Sequence, residues 1–239
     1  MAPVAGGVLT LPRAPAFYRN VLQLTRGSAH HVISDRVRQA PGMPMADGLR
    51  KTGIPLMEEI RWGSHIALFY ETTSDLIDTC AAYFAAGLRN NESCLWAVVD
   101  SVTVEAARGA LRDAIPDLDR HEAAGSVELV PGREFYLRHG KFDIRHLIEN
   151  RHDRLCRARE RGFDGLRISG NAWAAASERE QYFDFRRELA RAAGSDPILA
   201  LGTYELGASR AVDVLEVVRV HHLTIARRQG EWQFMETPE

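Results

Sequence analysis

The chain has only three cysteines in 239 residues, Cys80, Cys94 and Cys156, far apart and without a CxxC pair. That excludes a disulfide framework and leaves a zinc knuckle without ligands, so reduced thiols are expected. No apolar run approaches the roughly 18 residues of a membrane span, and the first ten residues lack the charged and apolar regions of a signal peptide. A cytoplasmic location with no membrane partner is therefore expected. Lysine is nearly missing as well: only Lys51 and Lys141 occur, and the remaining positive charge is arginine. So uniform a bias reads as genome composition rather than phosphate recognition, and direct nucleic-acid binding is not expected.

What is present is an ordinary globular composition, 45% hydrophobic and 26% charged, enough to bury a core. Residues 1–47 differ from the rest. They hold Pro3, Pro12, Pro15, Pro41 and Pro44 and one modest helical candidate from Tyr18 to Arg38, broken by Gly27. This punctuation predicts a loosely ordered lead-in, too short in helix for a three-helix DNA-reading module. The first 50 residues carry six arginines against Asp35 and Asp47, so a basic lead-in precedes an acidic body, residues 48–239.

In that body short apolar runs alternate with longer periodic segments. HIALFY (65–70), SCLWAVV (93–99), SVELVP (126–131), GLRIS (165–169) and PILALGTY (197–204) read as strands. Between them lie helical stripes: one after Ser74 as N-cap, one opened by Thr103 and ended by Pro116, one capped by Asp143 and closed by Gly162, and one from a Ser177–Glu180 capping box to Ala193. Strand–helix alternation of this kind predicts an α/β three-layer sandwich with a mostly parallel sheet covered on both faces. Residues 220–228 and 231–236 predict a closing antiparallel hairpin across Gln229-Gly230.

Ligands of open parallel sheets bind beyond the carboxyl ends of the strands. That rule selects Tyr70, Glu71 and Thr72 after the first strand, Asp100 and Ser101 after the second, Ser169, Asn171 and Trp173 after the fourth, and Thr203, Tyr204 and Glu205 after the fifth. The turn after the first strand reads YETTSDL (70–76). It has no glycine and no lysine, so the GxxxxGK[ST] loop that holds phosphates is missing, and its two carboxylates would repel a triphosphate. GxGxxG is absent there too, and no cofactor is expected. No HEXXH and no GxSxG occurs, and His139, His146 and His152 share no helical face. Cys80, Cys94 and Trp96 read as core, and of the adjacent His221 and His222 only one can face inward.

The segments WGSHIALFYET (62–72), AAGLRNNESCLWAV (86–98), FYLRHGKFD (135–143), RGFDGLRISGN (161–171), ALGTYEL (200–206) and RRQGEW (227–232) together resemble the MEDS domain, the sensory domain of methanogens, methylotrophs and the dichloromethane-responsive regulator DcmR. The resemblance implies a fold related to the RecA and KaiC ATPase core with its phosphate-binding loop lost. It also implies a role in sensing small hydrocarbon derivatives and signalling to a DNA-binding or kinase module. This chain departs from the family in having Ala67 and Gly202 where cysteine is common, Asp100-Ser101-Val102 for Ser-Glu-Pro, and Phe183-Asp184-Phe185-Arg186 for a Tyr-Glu pair.

The leading expectation is a non-enzymatic sensory domain binding a one-carbon or halogenated compound at the carboxyl edge of the sheet. Tyr70, Trp173 and Tyr204 would supply apolar walls, and His65, Asn171 and Thr203 would orient a polar atom. Its partners would be the small ligand and a signalling protein or a second copy. Two alternatives stay open: a ligand-free interaction module on a degenerate ATPase fold, and a residual nucleotide binder using Thr72, Thr73 and Asp100 with a metal ion.

Overall fold

A computed structural model describes residues 48–171, 179–192 and 196–234. The lead-in, Trp173 and Ser177 lie outside these residues. The described chain opens with a hairpin that the sequence reading did not contain, β1 (Leu49–Ile54) and β2 (Met57–Arg61). Its apolar pattern is short and interrupted by Gly53 and Pro55, which hides it from periodicity. Gly53 has φ +79°, and a Cβ there would lie 2.2 Å from the Ala82 carbonyl oxygen. Only glycine lets this hairpin settle on the helix that follows.

That helix, α1 (Thr73–Arg89), follows β3 (His65–Tyr70), which is buried at all six positions. Continuous burial is what a strand covered on both faces requires. Then come β4 (Glu92–Val98), α2 (Val104–Ala114), α3 (Leu118–Ala123), β5 (Val127–Pro131), α4 (Gly132–Tyr136), the small pair β6 (Leu137–Arg138) and β7 (Lys141–Phe142), and the long α5 (Ile144–Glu160). The chain ends with β8 (Gly165–Gly170), α6 (Arg179–Ala192), β9 (Ile198–Glu205), α7 (Ala211–Val220), β10 (Leu223–Arg228) and β11 (Glu231–Phe234).

The seven-stranded sheet runs β11-β10-β3-β9-β8-β4-β5. Every neighbouring pair is parallel except β10–β11. The expected mostly parallel sheet is therefore present, and the closing hairpin is its edge, docked through β10 onto β3. One apolar cluster joins β1, β2, α1, α2 and α3 to one face of the sheet, and a second joins α5, α6 and α7 to the other. The result is a three-layer sandwich.

Three local readings change. The N-cap of α1 is Thr72, not Ser74, in a reciprocal capping box with Asp75. Helix α7 had no counterpart in the sequence reading. Its valine-rich AVDVLEVVRV carries weak intrinsic helix preference, and packing against the sheet decides its form. His221 caps the end of α7 rather than lying in a strand; it is buried while His222 is exposed.

A buried ion pair ties the hairpin to the sheet. Glu92 on β4 accepts from Arg167 on β8, both side chains fully buried, and from Arg50 on β1 at 2.9 Å. Arg167 also donates to the carbonyls of Tyr83 at 2.8 Å and Lys51 at 2.8 Å. These bonds satisfy a guanidinium that would otherwise be costly to bury.

Candidate functional site

At the carboxyl end of β3 the helix N-terminus is already occupied. The carboxylate of Asp75, only 2% exposed, accepts from the Thr72 hydroxyl at 2.8 Å and the Thr72 N–H at 3.1 Å. It also accepts from the N–H groups of Gln229 at 3.0 Å and Gly230 at 2.7 Å in the β10–β11 turn. Arg227 lies 3.7 Å away. Burial alone would raise the pKa of this acid, but the N–H and hydroxyl donors of Gly230, Thr72 and Gln229 outweigh it and hold the carboxyl below its ordinary value. The positive end of α1, the natural seat of an anion, is filled by the chain's own carboxylate.

The other candidates at this edge are divided among separate surroundings. Glu71 pairs with Arg228 at 3.1 Å, and Asp100 forms an exposed ion pair with Arg133. Tyr70, Ser169 and Thr203 lie in the layer beneath α1. Tyr70 is 3% exposed, Ser169 shares a 3.5 Å contact with the Cys80 thiol, and the buried Thr203 hydroxyl has no partner. Asn171 is half-buried just past β8. Successive residues of a strand face opposite ways, so Thr203 and Tyr204 cannot serve one site. The side chains of His65 and Tyr204 open instead onto the opposite face.

On that face lies a cavity of about 70 Å³ between β3, β8 and β9 and helices α5 and α6. Its floor is bare backbone: Gly170 and Gly202 are direct register partners on β8 and β9. A Cβ at Gly170 would come within 2.4 Å of the Tyr136 hydroxyl, and one at Gly202 within 2.8 Å of the Tyr204 hydroxyl. The walls are Phe135, Tyr136, Tyr182, Phe185 and Tyr204, with His65, Arg151 and Arg186 among them.

The polar groups here are ordered by one hydrogen-bonded chain. His221 Nδ1 donates to the Val217 carbonyl at 2.7 Å, because a carbonyl can only accept. Burial, reinforced by the charge of Arg186, holds the His221 pKa well below its ordinary value, so Nε2 is a neutral acceptor. Tyr204 then donates to Nε2 at 3.3 Å and receives a bond from the Tyr182 hydroxyl. Burial raises the Tyr182 and Tyr204 pKa values against the opposing field of Arg186. His65 is also held neutral, first by burial and then by Arg186 and Arg151. The arrangement offers an aromatic enclosure with neutral hydrogen-bonding groups and two guanidinium ions. Among the described residues no cluster of His, Cys, Asp or Glu could hold a metal ion.

Arg151, Arg186, Tyr136 and Tyr182 were not among the sequence candidates. A signal was there to read. Arg151 falls four residues after Leu147 and four before Leu155, on the apolar stripe of α5. Arg186 follows Tyr182 by four and precedes Leu189 by three on α6. An arginine in the middle of a buried stripe is out of place unless it serves something inside.

The fold is shared with proteins of the RecA/KaiC type. The chain is similar to the flagellar accessory protein FlaH from Methanocaldococcus jannaschii, with a TM-score of 0.51 and 14% identity over 88% of this chain and 83% of that one. It is also similar to the KaiC-like protein PH0186 from Pyrococcus horikoshii OT3, with a TM-score of 0.50 and 17% identity over 76% and 81%. A third likeness is to protein PH0321 from Pyrococcus horikoshii, solved with an unknown peptide, with a TM-score of 0.55 and 12% identity over 70% and 78%. No significant match was found among curated proteins. Among the described residues no helix is long and apolar enough to cross a membrane. Residues 64–222 match the family described as methanogen/methylotroph, DcmR sensory domain, and the chain belongs to this MEDS family of sensory domains.

Proposed function

We infer that the chain senses a small, largely apolar molecule, a one-carbon or short halogenated compound, in the cavity beneath α5 and α6, and does so without catalytic turnover. The observation that carries this reading is the aromatic enclosure of about 70 Å³ floored by Gly170 and Gly202. Convergent polar groups in a mostly apolar hollow are the usual form of a small-molecule site. His65 and Tyr204 would orient a polar atom of the ligand. The occupied N-terminus of α1 supports a signal that does not depend on nucleotide, since a phosphate would have to displace Asp75 from four hydrogen bonds and from Arg227, 3.7 Å away.

A ligand of two or three heavy atoms gains at best about 1.5 kcal/mol per atom, so binding near the millimolar range is expected. The output would then be a modest shift between two conformations, read by a transcription regulator or a kinase partner. Calorimetric titration and thermal shift of the full chain with a panel of one-carbon and short haloalkane compounds test the reading. A saturable response that vanishes in Gly202→Val supports it. Uniform silence from a folded sample refutes it and favours action through protein contact alone, for which Val212 and Leu215 on α7 are exposed apolar side chains. Binding of ATP or GTP with magnesium would overturn the nucleotide-independent part.

A further inference from the structure

Arg151 and Arg186 are each more than nine-tenths buried, at 7% and 8% exposure, and both line the cavity. Neither has a carboxylate within ion-pair distance among the described residues. Arg186 donates one bond, to the Val220 carbonyl at 3.1 Å, and its Nε is buried without a partner. Arg151 Nη2 is likewise buried and unpartnered, and so is Nε2 of His65. The acid that bears on Arg151 is Asp196, from beyond ion-pair distance, while Arg186 opposes it as a like charge. Burial pushes the Arg151 pKa down only to about 10, so its guanidinium stays charged near neutral pH.

Two buried like charges with idle donors are a poor arrangement for stability alone. Among the described residues neither guanidinium has a carboxylate in direct contact, and His65 adds no charge because it is neutral. The space is also bounded. A single water needs about 10–15 Å³ on the same kind of measure, so about 70 Å³ accommodates a handful of heavy atoms.

We propose that the ligand of this cavity carries a carboxylate: a short-chain monoanionic acid whose oxygens accept from Arg151, Arg186 and His65, and whose brief apolar tail lies among Tyr136, Tyr182 and Phe185. The proposal rests on the cavity being the sensory site and assigns it an acid of similar size in place of a neutral one-carbon or halogenated compound. The two-oxygen, planar head of a carboxylate matches the fork of a guanidinium, and a charge-assisted pair in a low-dielectric site is strong for its size. A phosphate would bring more charge and more acceptors than the donors in view.

The test is thermal shift and calorimetry on the full chain with formate, acetate, propionate and butyrate. Each is matched against its neutral amide, and against sodium chloride at equal ionic strength. The expected result is saturable stabilisation by one or more acids, at least tenfold weaker for the amide, and none beyond the salt effect for chloride. Arg186→Gln should abolish the response. Arg151→Met should abolish it too while leaving the melting temperature of the free chain unchanged or higher, which a purely structural arginine would not do. If neutral compounds bind and the acids do not, the cavity remains the sensory site and the carboxylate proposal falls. If neither binds, both fall. Equal response to acetate and chloride overturns the proposal through the wild-type protein alone, whether or not the variants fold.

Discussion

Glu92 and Arg167 form an ion pair between adjacent strands β4 and β8 with neither side chain reaching solvent. The guanidinium also holds the carbonyls of Lys51 and Tyr83 and lies 4.5 Å over the Tyr83 ring. Removing the acid leaves a buried cation with its charge uncompensated. Glu92→Ala should destabilise the fold by about 3–5 kcal/mol, read as a lower midpoint in urea denaturation. A loss below about 1 kcal/mol would mean that solvent reaches the pair.

Asp75 is the latch between α1 and the closing hairpin. In Asp75→Ala the N–H groups of Gln229 and Gly230 lose their acceptor, and the cost should be about 1–3 kcal/mol. Amide hydrogen exchange should rise at Gln229 and Gly230 before it rises in β3. Because the folded pKa lies below the unfolded value near 3.9, the stability Asp75 contributes is complete above about pH 4. It is lost as pH falls through the lower, folded value.

His65 and His221 titrate in the opposite sense to a paired histidine. Both are held neutral in the fold, with pKa values well below 6.5. The unfolded chain binds protons that the folded one refuses, so their contribution is complete above about pH 6.5 and declines as pH falls below it. Two such groups give a limiting slope of about 2.7 kcal/mol per pH unit. Chemical denaturation between pH 7.5 and 5 measures it, and a flat profile over that range would show that the imidazoles charge freely in the native state.

Gly202→Ala should cost about 1–3 kcal/mol by overpacking, since the new methyl meets the Tyr204 hydroxyl at 2.8 Å and His221 Nε2 at 3.1 Å. Tyr204→Phe removes the obstructing oxygen. The two substitutions together should then be less damaging than their sum, a coupling that a double-mutant cycle detects. Strict additivity would place the methyl elsewhere.

The layers were legible because β3, β4 and β9 are mainly apolar runs of strand length and because Thr103 and Asp143 each cap the helix they precede. The hairpin at 49–61 was not, since its burial rests on Gly53 fitting under Ala82, a contact between distant segments. Helix α7 was hidden by valines whose local preference packing overrides. The candidate site was half legible. The rule of carboxyl ends finds Tyr204, and the resemblance points to Gly202, yet strand alternation sends Tyr70, Ser169 and Thr203 to the opposite face. Arg151 and Arg186 come from helices whose rotation over the sheet no strand-edge rule can fix.

The bare floor made by Gly170 and Gly202 separates two properties that most pockets mix. A side chain at either position shortens the space by about one methyl group from below, while the guanidinium groups reach in from the helices above. Size selection and charge can therefore change independently, each by a single substitution. Under the proposed sensory role, a substitution on this floor would shorten the molecule that fits while leaving the guanidinium groups in place.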